Sequence, residues 1–340
     1  MNVAVIGLGY WGPNLLRVLF ELPDVTVKYA CDLDTSRLAK AIRRYPSVEP
    51  TTDIDRVLDD PDVDAVLIAT PVFTHFELAS RALRSGKHTF VEKPLAASSA
   101  EADELIQLAD EQGLCLMCGH TFIYSPAVRS VKQMIDSGQL GDIYFISSSR
   151  VNLGLHQRDV SVIWDLAPHE FSILLYWLGE LPNSVGAMGR DSVVKGIPDV
   201  AFIDLAYDSG AIAHVELSWL APSKLRRTVI VGSKKMVVYD DTSSEPVRVF
   251  DSGVHYEDPE TFGEYQLSYR TGDILSPHLE TYEPLAAELT DFLENVRSGT
   301  LVTENRRVAR DVVRLIEAAE SSLEERGAPI SVGGSALSRA

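Results

Sequence analysis

With 340 residues, 45% of them hydrophobic and 24% charged, the chain is too long for one ordinary core and suits two globular domains. A formal net charge of −18 disfavours nucleic acid and anionic membranes as partners, although an anionic small molecule needs only a local basic pocket. The longest apolar runs fall short of a membrane span, Met1 leads straight into a strand-like run with no room for a signal peptide, and three cysteines suit a reducing compartment, so a cytoplasmic location is expected.

Val3-Ala4-Val5-Ile6 is a continuous apolar run, the pattern of a strand buried on both faces of a parallel sheet. It runs into Gly7-Leu8-Gly9-Tyr10-Trp11-Gly12, a G-x-G-x-x-G that opens a helical pattern through Leu15, Leu16, Val18 and Leu19. Gly7 permits the tight turn, Gly9 lets backbone approach a pyrophosphate, and Gly12 lets helix and strand pack closely. A second apolar run, Val25 to Ala30, ends at Asp32, about 20 residues past the last glycine, where a dinucleotide site places a carboxylate on the adenosine ribose. Strand, glycines, helix and acid in this order predict a dinucleotide site over Gly7, Gly9, Tyr10, Trp11, Gly12 and Asp32; a glycine turn that merely packs a helix is the alternative. Asp32 favours NAD over NADP, and the nearby Arg37 keeps NADP open.

Further on, a helix over Ser36–Arg44 precedes a third apolar strand, Val63–Ala69, ending in Thr70-Pro71 with His75 following. Strand C-termini of a doubly wound sheet face the ligand crevice, so Thr70, Pro71 and His75 are expected along the dinucleotide, with helix capping as the other role for His75. After a helix over Phe76–Ser85 stopped by Gly86, His88–Val91 reads as a strand ending in Glu92-Lys93-Pro94. That places a lysine at the sheet's ligand edge before a proline able to adopt the cis form, where it can serve as a general acid/base; a plain Glu92–Lys93 salt bridge is the competing account. Cys115 and Cys118 sit in Leu114–Cys118, a buried-strand pattern with no second Cys or His pair in range, so packing is expected and no metal site.

Around Gly119-His120 to Pro126 the β/α rhythm stops, which puts a domain boundary at 122/123. A helix Pro126–Ser137 is followed by the longer strands Ile143–Val151, Val200–Tyr207, Ala211–Leu220, Arg227–Val231 and Lys235–Tyr239, with a hairpin turn at Ser209-Gly210. The predicted fold class is therefore α/β: an N-terminal Rossmann doubly wound parallel sheet over 1–122, then an α+β domain over 123–332 with a large, mostly antiparallel open sheet, and a frayed tail over 333–340. In the segment Trp164–His169, helical spacing sets Asp165 and His169 at i, i+4 on one face, the geometry for a carboxylate to orient an imidazole; a helix-start Asp with a packed His is the other reading. Helices Glu283–Arg297 and Glu304–Glu324 close the chain, the latter with a core-type stripe at Val308, Val312, Leu315, Ile316 and Ala319.

Gly7–Gly12, Glu92-Lys93-Pro94 and the Asp165/His169 pair, in this order, resemble the Gfo/Idh/MocA oxidoreductase family over essentially the whole chain. The resemblance implies that Lys93 and His169 flank nicotinamide and substrate carbon as acid/base groups, with Asp165 binding or orienting the substrate and Glu92 beside the cofactor. Gly9–Asn14, Gly119–Phe122, Trp164–His169 and Tyr269–Asp273 are similar to the nucleotide-sugar branch, such as UDP-N-acetylglucosamine and UDP-N-acetylglucosaminuronate 3-dehydrogenases. One departure is Val160-Ser161-Val162 where many members carry a glycine-rich run. The implied reaction is NAD-dependent oxidation of a secondary hydroxyl, at C3 of a UDP-linked N-acetylhexosamine or its uronate. An NADP-dependent keto-sugar reductase and a non-catalytic dinucleotide-binding regulator are the alternatives. Arg150 and Asn152, with Lys224, Arg226 and Arg227, are expected near sugar or diphosphate. The open face of the second sheet calls for a homodimer or homotetramer.

Overall fold

The computed structural model describes residues 1–154, 156, 160–257 and 266–332. In chain order the elements begin β1 (Asn2–Ile6), α1 (Gly12–Glu21), β2 (Thr26–Cys31), α2 (Thr35–Arg44), β3 (Glu49–Thr51), α3 (Asp55–Leu58), β4 (Ala65–Ile68), α4 (His75–Arg84), β5 (His88–Glu92), α5 (Ser99–Gln112) and β6 (Leu116–Gly119). Then come α6 (Pro126–Asp136), β7 (Ile143–Leu153), α7 (Val162–Leu178), β8 (Ser184–Arg190), β9 (Val200–Ala206), β10 (Ile212–Ser218), β11 (Leu220–Gly232), β12 (Met236–Asp240), β13 (Val247–Glu257) and β14 (Gln266–Leu275). The chain closes with α8 (Pro284–Ser298), α9 (Thr303–Glu324) and β15 (Ile330–Ser331). Two compact units result: Met1–Tyr124 with Tyr282–Arg314, and Ser125–Thr281 with the chain from Leu315 on.

In the first unit, six parallel strands run in the order β3-β2-β1-β4-β5-β6. This is the doubly wound arrangement, whose order reverses next to β1. Both sheet faces are covered, which is why β1 is apolar without alternation. Val3 and Val5 pack with Leu15, Leu16 and Leu19 of α1, while Ala4 and Ile6 pack with Ala79, Leu83 and Leu105 of α4 and α5. Cys115 and Cys118 fall on opposite faces, each buried and free.

The domain expectation of 1–122 and 123–332 differs from these units at the C-terminal end. Leu285, Leu289, Phe292 and Leu293 of α8 join the core of Val3, Val5 and Phe90, and Phe292 meets Phe90 edge-on at 5.6 Å. Arg306 on α9, only 3% exposed, donates to the carbonyls of Leu114 and Leu116 and pairs with Asp110. An apolar stripe at helical spacing says that a helix is packed, not on which sheet, so sequence order assigned this return to the wrong unit.

The second unit holds a nine-stranded sheet in the order β14-β13-β12-β11-β7-β10-β9-β8-β15. Its described pairings are antiparallel except β7 with β10. Gly210 takes φ +88 in the β9–β10 turn, as the Ser209-Gly210 signal requires. The apolar side of α7 is buried through Phe171, Leu174, Leu175 and Trp177. Successive register partners Ile212, Phe145, Val231, Met236, Phe250 and Ile274 form one apolar row across six strands. Ile212, Phe145 and Ile274 in it are 59%, 41% and 62% exposed. Strands β8, β13 and β14 were not foreseen; β8, SVGAMGR, carries two glycines that weaken its strand signal. The expected tail over 333–340 lies outside the described residues. Among the described residues no helix is long and apolar enough to cross a membrane.

Candidate functional site

The loops at the C-terminal ends of β1, β2, β4 and β5 are knit together by backbone. Gly7 N–H donates to Cys31 O at 2.8 Å and Ala69 N–H to Ile6 O at 2.8 Å. Gly7 has φ +91, and a Cβ on it would lie 2.6 Å from Ala69 O and 2.7 Å from Thr70 Cγ2, so only glycine fits. A Cβ on Gly12 would run into Gly7 O. At Gly9, by contrast, a Cβ would meet nothing within 4 Å. No neighbour among the described residues requires glycine there, and the backbone is open to approach from outside. The N-terminus of α1 has no side-chain cap and no acidic residue in its first turn, so no negative charge there opposes an anion, although Pro13 supplies no N–H and Asn14 N–H donates to Trp11 O at 2.8 Å. These observations fit a dinucleotide pyrophosphate lying on Gly9 and the start of α1. Tyr10, 82% exposed, stands edge-on to Trp11 beside it.

The carboxylate of Asp32 accepts from Leu8 N–H at 2.6 Å and Asp34 N–H at 2.8 Å, with Arg37 Nη1 at 3.5 Å. It therefore also holds the glycine loop in place; Oδ2 takes both Leu8 and Arg37, and Oδ1, which takes Asp34 alone, keeps a lone pair for a ribose hydroxyl. Arg37 lies between Asp32 and Asp34, both at 3.5 Å.

His75 is 1% exposed, and its ring nitrogens face backbone carbonyls, Nδ1 at 2.9 Å from Pro94 O and Nε2 at 2.8 Å from Thr70 O. Burial lowers its pKa, while the two carbonyls, each able to accept from the ring, act in the opposite direction. Its ring ties the turn after β4 to the Lys93-Pro94 peptide, which is cis. Placed inside the unit, it braces this edge rather than lining it. Thr74 Oγ1 lies 2.7 Å from both Thr70 Oγ1 and Pro71 O, which fixes the same turn. Lys93 is half-buried between the buried Glu92 and Pro94.

Three polar residues behind Lys93 carry the strongest electrostatic signature of the unit. Glu92 is 6% exposed, and burial pushes its carboxyl up to about 7 against the opposing charge of Lys93. His120 is 2% exposed and pushed down to about 3, by burial and by Lys93. Glu288 on α8 is fully buried and raised well above the usual carboxylate range by burial, although Thr121 Oγ1 donates to it at 2.6 Å. Neither His120 nor Glu288 was a site expectation. Glu288 could have been found as a charge inside the apolar stripe Leu285, Leu289, Phe292.

In the second unit, Ser161 caps α7 and Asp165 stands in its first turn, four residues before His169, both side chains partly exposed. Trp219 Nε1 donates to Asp165 Oδ2 at 3.0 Å. Pro168 removes the helical donor for the Trp164 carbonyl, leaving that oxygen next to Asp165. Arg150, expected near sugar or diphosphate, is 4% exposed and paired with the equally buried Glu170, which also accepts from Ser148. Its guanidinium serves the core because β7 points it inward at α7; alternation along β7, with Ser148 and Arg150 on one face, held that information. Arg226 pairs with Asp241 at 3.0 Å, whereas Lys224 and Arg227 are exposed and Asn152 is partly so.

Residues 1–120 match the family model described as "Oxidoreductase family, NAD-binding Rossmann fold", and residues 128–238 match the "GFO/IDH/MocA C-terminal domain". The chain is similar to the myo-inositol 2-dehydrogenase of Thermotoga maritima, at 25% identity over 338 residues covering 96% of this chain and 97% of that one. Among solved structures, GenD2 from gentamicin A biosynthesis in complex with NAD has a TM-score of 0.83 at 23% identity, covering 98% and 97% of the two chains, which speaks to the fold. UDP-N-acetylglucosamine 3-dehydrogenase GnnA from Acidithiobacillus ferrooxidans has a TM-score of 0.76 at 26% identity, covering 95% and 99%.

The raised carboxyl of Glu92 makes a stability prediction. Its folded value of about 7 lies above its usual 4.5, so the folded state holds the extra proton between those values and loses stability as pH rises through that window. Glu92→Gln removes this loss. Relative to wild type it should gain on the order of 3 kcal/mol between about pH 4.5 and about pH 8, read by urea unfolding. A difference that is constant with pH would mean Glu92 is ionised throughout.

Proposed function

We propose a reaction from one premise: the chain belongs to the Gfo/Idh/MocA oxidoreductase family. It oxidises a secondary hydroxyl of a sugar with NAD, at C3 of a UDP-linked N-acetylhexosamine or its uronate. The observation that carries this reading is the half-buried Lys93 at the edge that also bears the open turn at Gly9 and the Asp32 carboxylate. When bound, NAD supplies the hydride acceptor. Gly9 and the start of α1 hold the pyrophosphate, Asp32 accepts from the adenosine ribose, and Thr70 and Pro71 line the same turn.

Lys93 Nζ takes the hydroxyl proton as general base. Asp165, oriented by Trp219, binds the substrate, and His169 shares the proton. Asn152, Lys224 and Arg227 are the groups left to face sugar or diphosphate; Arg150 acts through the core. Similarity to GnnA supports the nucleotide sugar. Similarity to the myo-inositol 2-dehydrogenase favours a second reading, a free cyclic polyol with the same chemistry. The half-exposed apolar row on the second sheet supports a homodimer or homotetramer through that face.

Two expected outcomes follow. Incubation with NAD and a panel of UDP-sugars and inositols, followed by mass spectrometry, yields one UDP-sugar lighter by two hydrogens. Lys93→Ala abolishes that product, by about a hundredfold or more, while NAD affinity stays near wild type. An inositol product selects the second reading; unchanged turnover in Lys93→Ala removes the lysine from the chemistry. Separately, Phe145→Lys on the apolar row converts the oligomer to monomer in analytical ultracentrifugation, and a monomeric wild type contradicts the interface.

A further inference from the structure

We propose that Glu92, His120 and Glu288 are positioning residues for Lys93: a buried carboxyl–imidazole–carboxyl set, bridged by internal water, whose shared negative charge sets the pH at which the lysine gives up its proton. The inference rests on the reading of Lys93 as the proton acceptor.

Geometry brings the three together. Glu92 ends β5 opposite Gly119 of β6. A Cβ on Gly119 would lie 3.4 Å from Glu92 Oε2 and 2.9 Å from Phe90 Cζ, so the glycine makes room for the carboxylate and the ring beneath it. His120 follows directly, and Thr121 hands its hydroxyl to Glu288 of α8 at 2.6 Å. Four polar atoms of this set, Glu92 Oε1, Glu288 Oε1 and both ring nitrogens of His120, are buried without a hydrogen-bond partner among the described residues.

So many unpartnered buried atoms in one place are not a tolerable cost for a core. Each would forfeit about 1–3 kcal/mol, and natural interiors answer with ordered water making several bonds. A purely structural role is better served by apolar side chains. The two carboxyls are coupled, Glu92 acting on Glu288, and Lys93 acts on both Glu92 and His120. The other titratable groups acting on the set are Cys118, whose thiol burial keeps protonated, and Asp291, which Tyr124 holds by hydrogen bond. Two carboxyls this close do not both ionise readily, so the set keeps a proton among its members and carries about one negative charge. That charge favours the ammonium form of Lys93.

The test reads Lys93 without any substrate. Competitive acetylation with acetic anhydride across a pH series, with the Lys93 peptide quantified by mass spectrometry, gives the pH midpoint of lysine reactivity. In Glu92→Gln the midpoint should move to lower pH by about one unit, and in Glu288→Gln in the same direction by less. Glu104→Gln, on the exposed face of α5, should leave it in place. Glutamine keeps the shape of each carboxyl, and two independent variants guard against one failing to fold. A midpoint unmoved in both, or moved equally by Glu104→Gln, overturns the inference. If the midpoint moves but no sugar or polyol is oxidised, the functional reading fails and the coupling stands; if oxidation proceeds with an unmoved midpoint, only the coupling falls.

Discussion

Everything in the first unit depends on how a parallel sheet ends. Strands β1, β2, β4 and β5 stop at one edge, where ladder hydrogen bonds run out and polar groups must be satisfied by loops. The chain solves this with backbone where room is short and with buried side chains where it is not. Gly7 hands its N–H to Cys31 and lies against Ala69 and Thr70, Asp32 takes the amide of Leu8, and His75 bridges Thr70 to Pro94. The stitching leaves the backbone open at Gly9, just before α1. A dinucleotide site is thus what remains after the edge has been tied off, and the lysine sits at the same edge because β5 ends there.

The charges buried behind that edge are the less economical part of the design. Glu92 and Glu288 occupy positions where apolar residues would pack more stably, and α8 returns to this unit after Ser125–Thr281 of the second unit to supply one of them. In the coupling proposed above, stability is given up to hold a charge beside Lys93. The second unit shows the contrary case. Arg150 and Glu170 are just as buried, but each neutralises the other, and Glu170 also accepts from Ser148.

These differences mark how far the sequence could be read. The glycine turn, Asp32 and the doubly wound order were legible because each needs a particular residue at a particular spacing. The i, i+4 placement of Asp165 and His169 was legible from helical periodicity. The return of α8 was not, because an apolar stripe fits any sheet with a face to cover. Nor was the fate of Arg150, since an arginine in a strand looks alike whether it meets solvent or a buried glutamate. The partner of Asp165 is an indole 54 residues away in sequence, and no local pattern announces it.

The most direct measurement is calorimetric titration of NAD into the wild-type protein and Gly9→Ala, with thermal unfolding of both. The open space around Gly9 predicts that the variant unfolds with the wild type yet binds NAD at least about tenfold more weakly, because the added methyl stands where the pyrophosphate meets the backbone. A Gly9→Ala protein that binds NAD as tightly as the wild type would show that this turn is not where the dinucleotide lies.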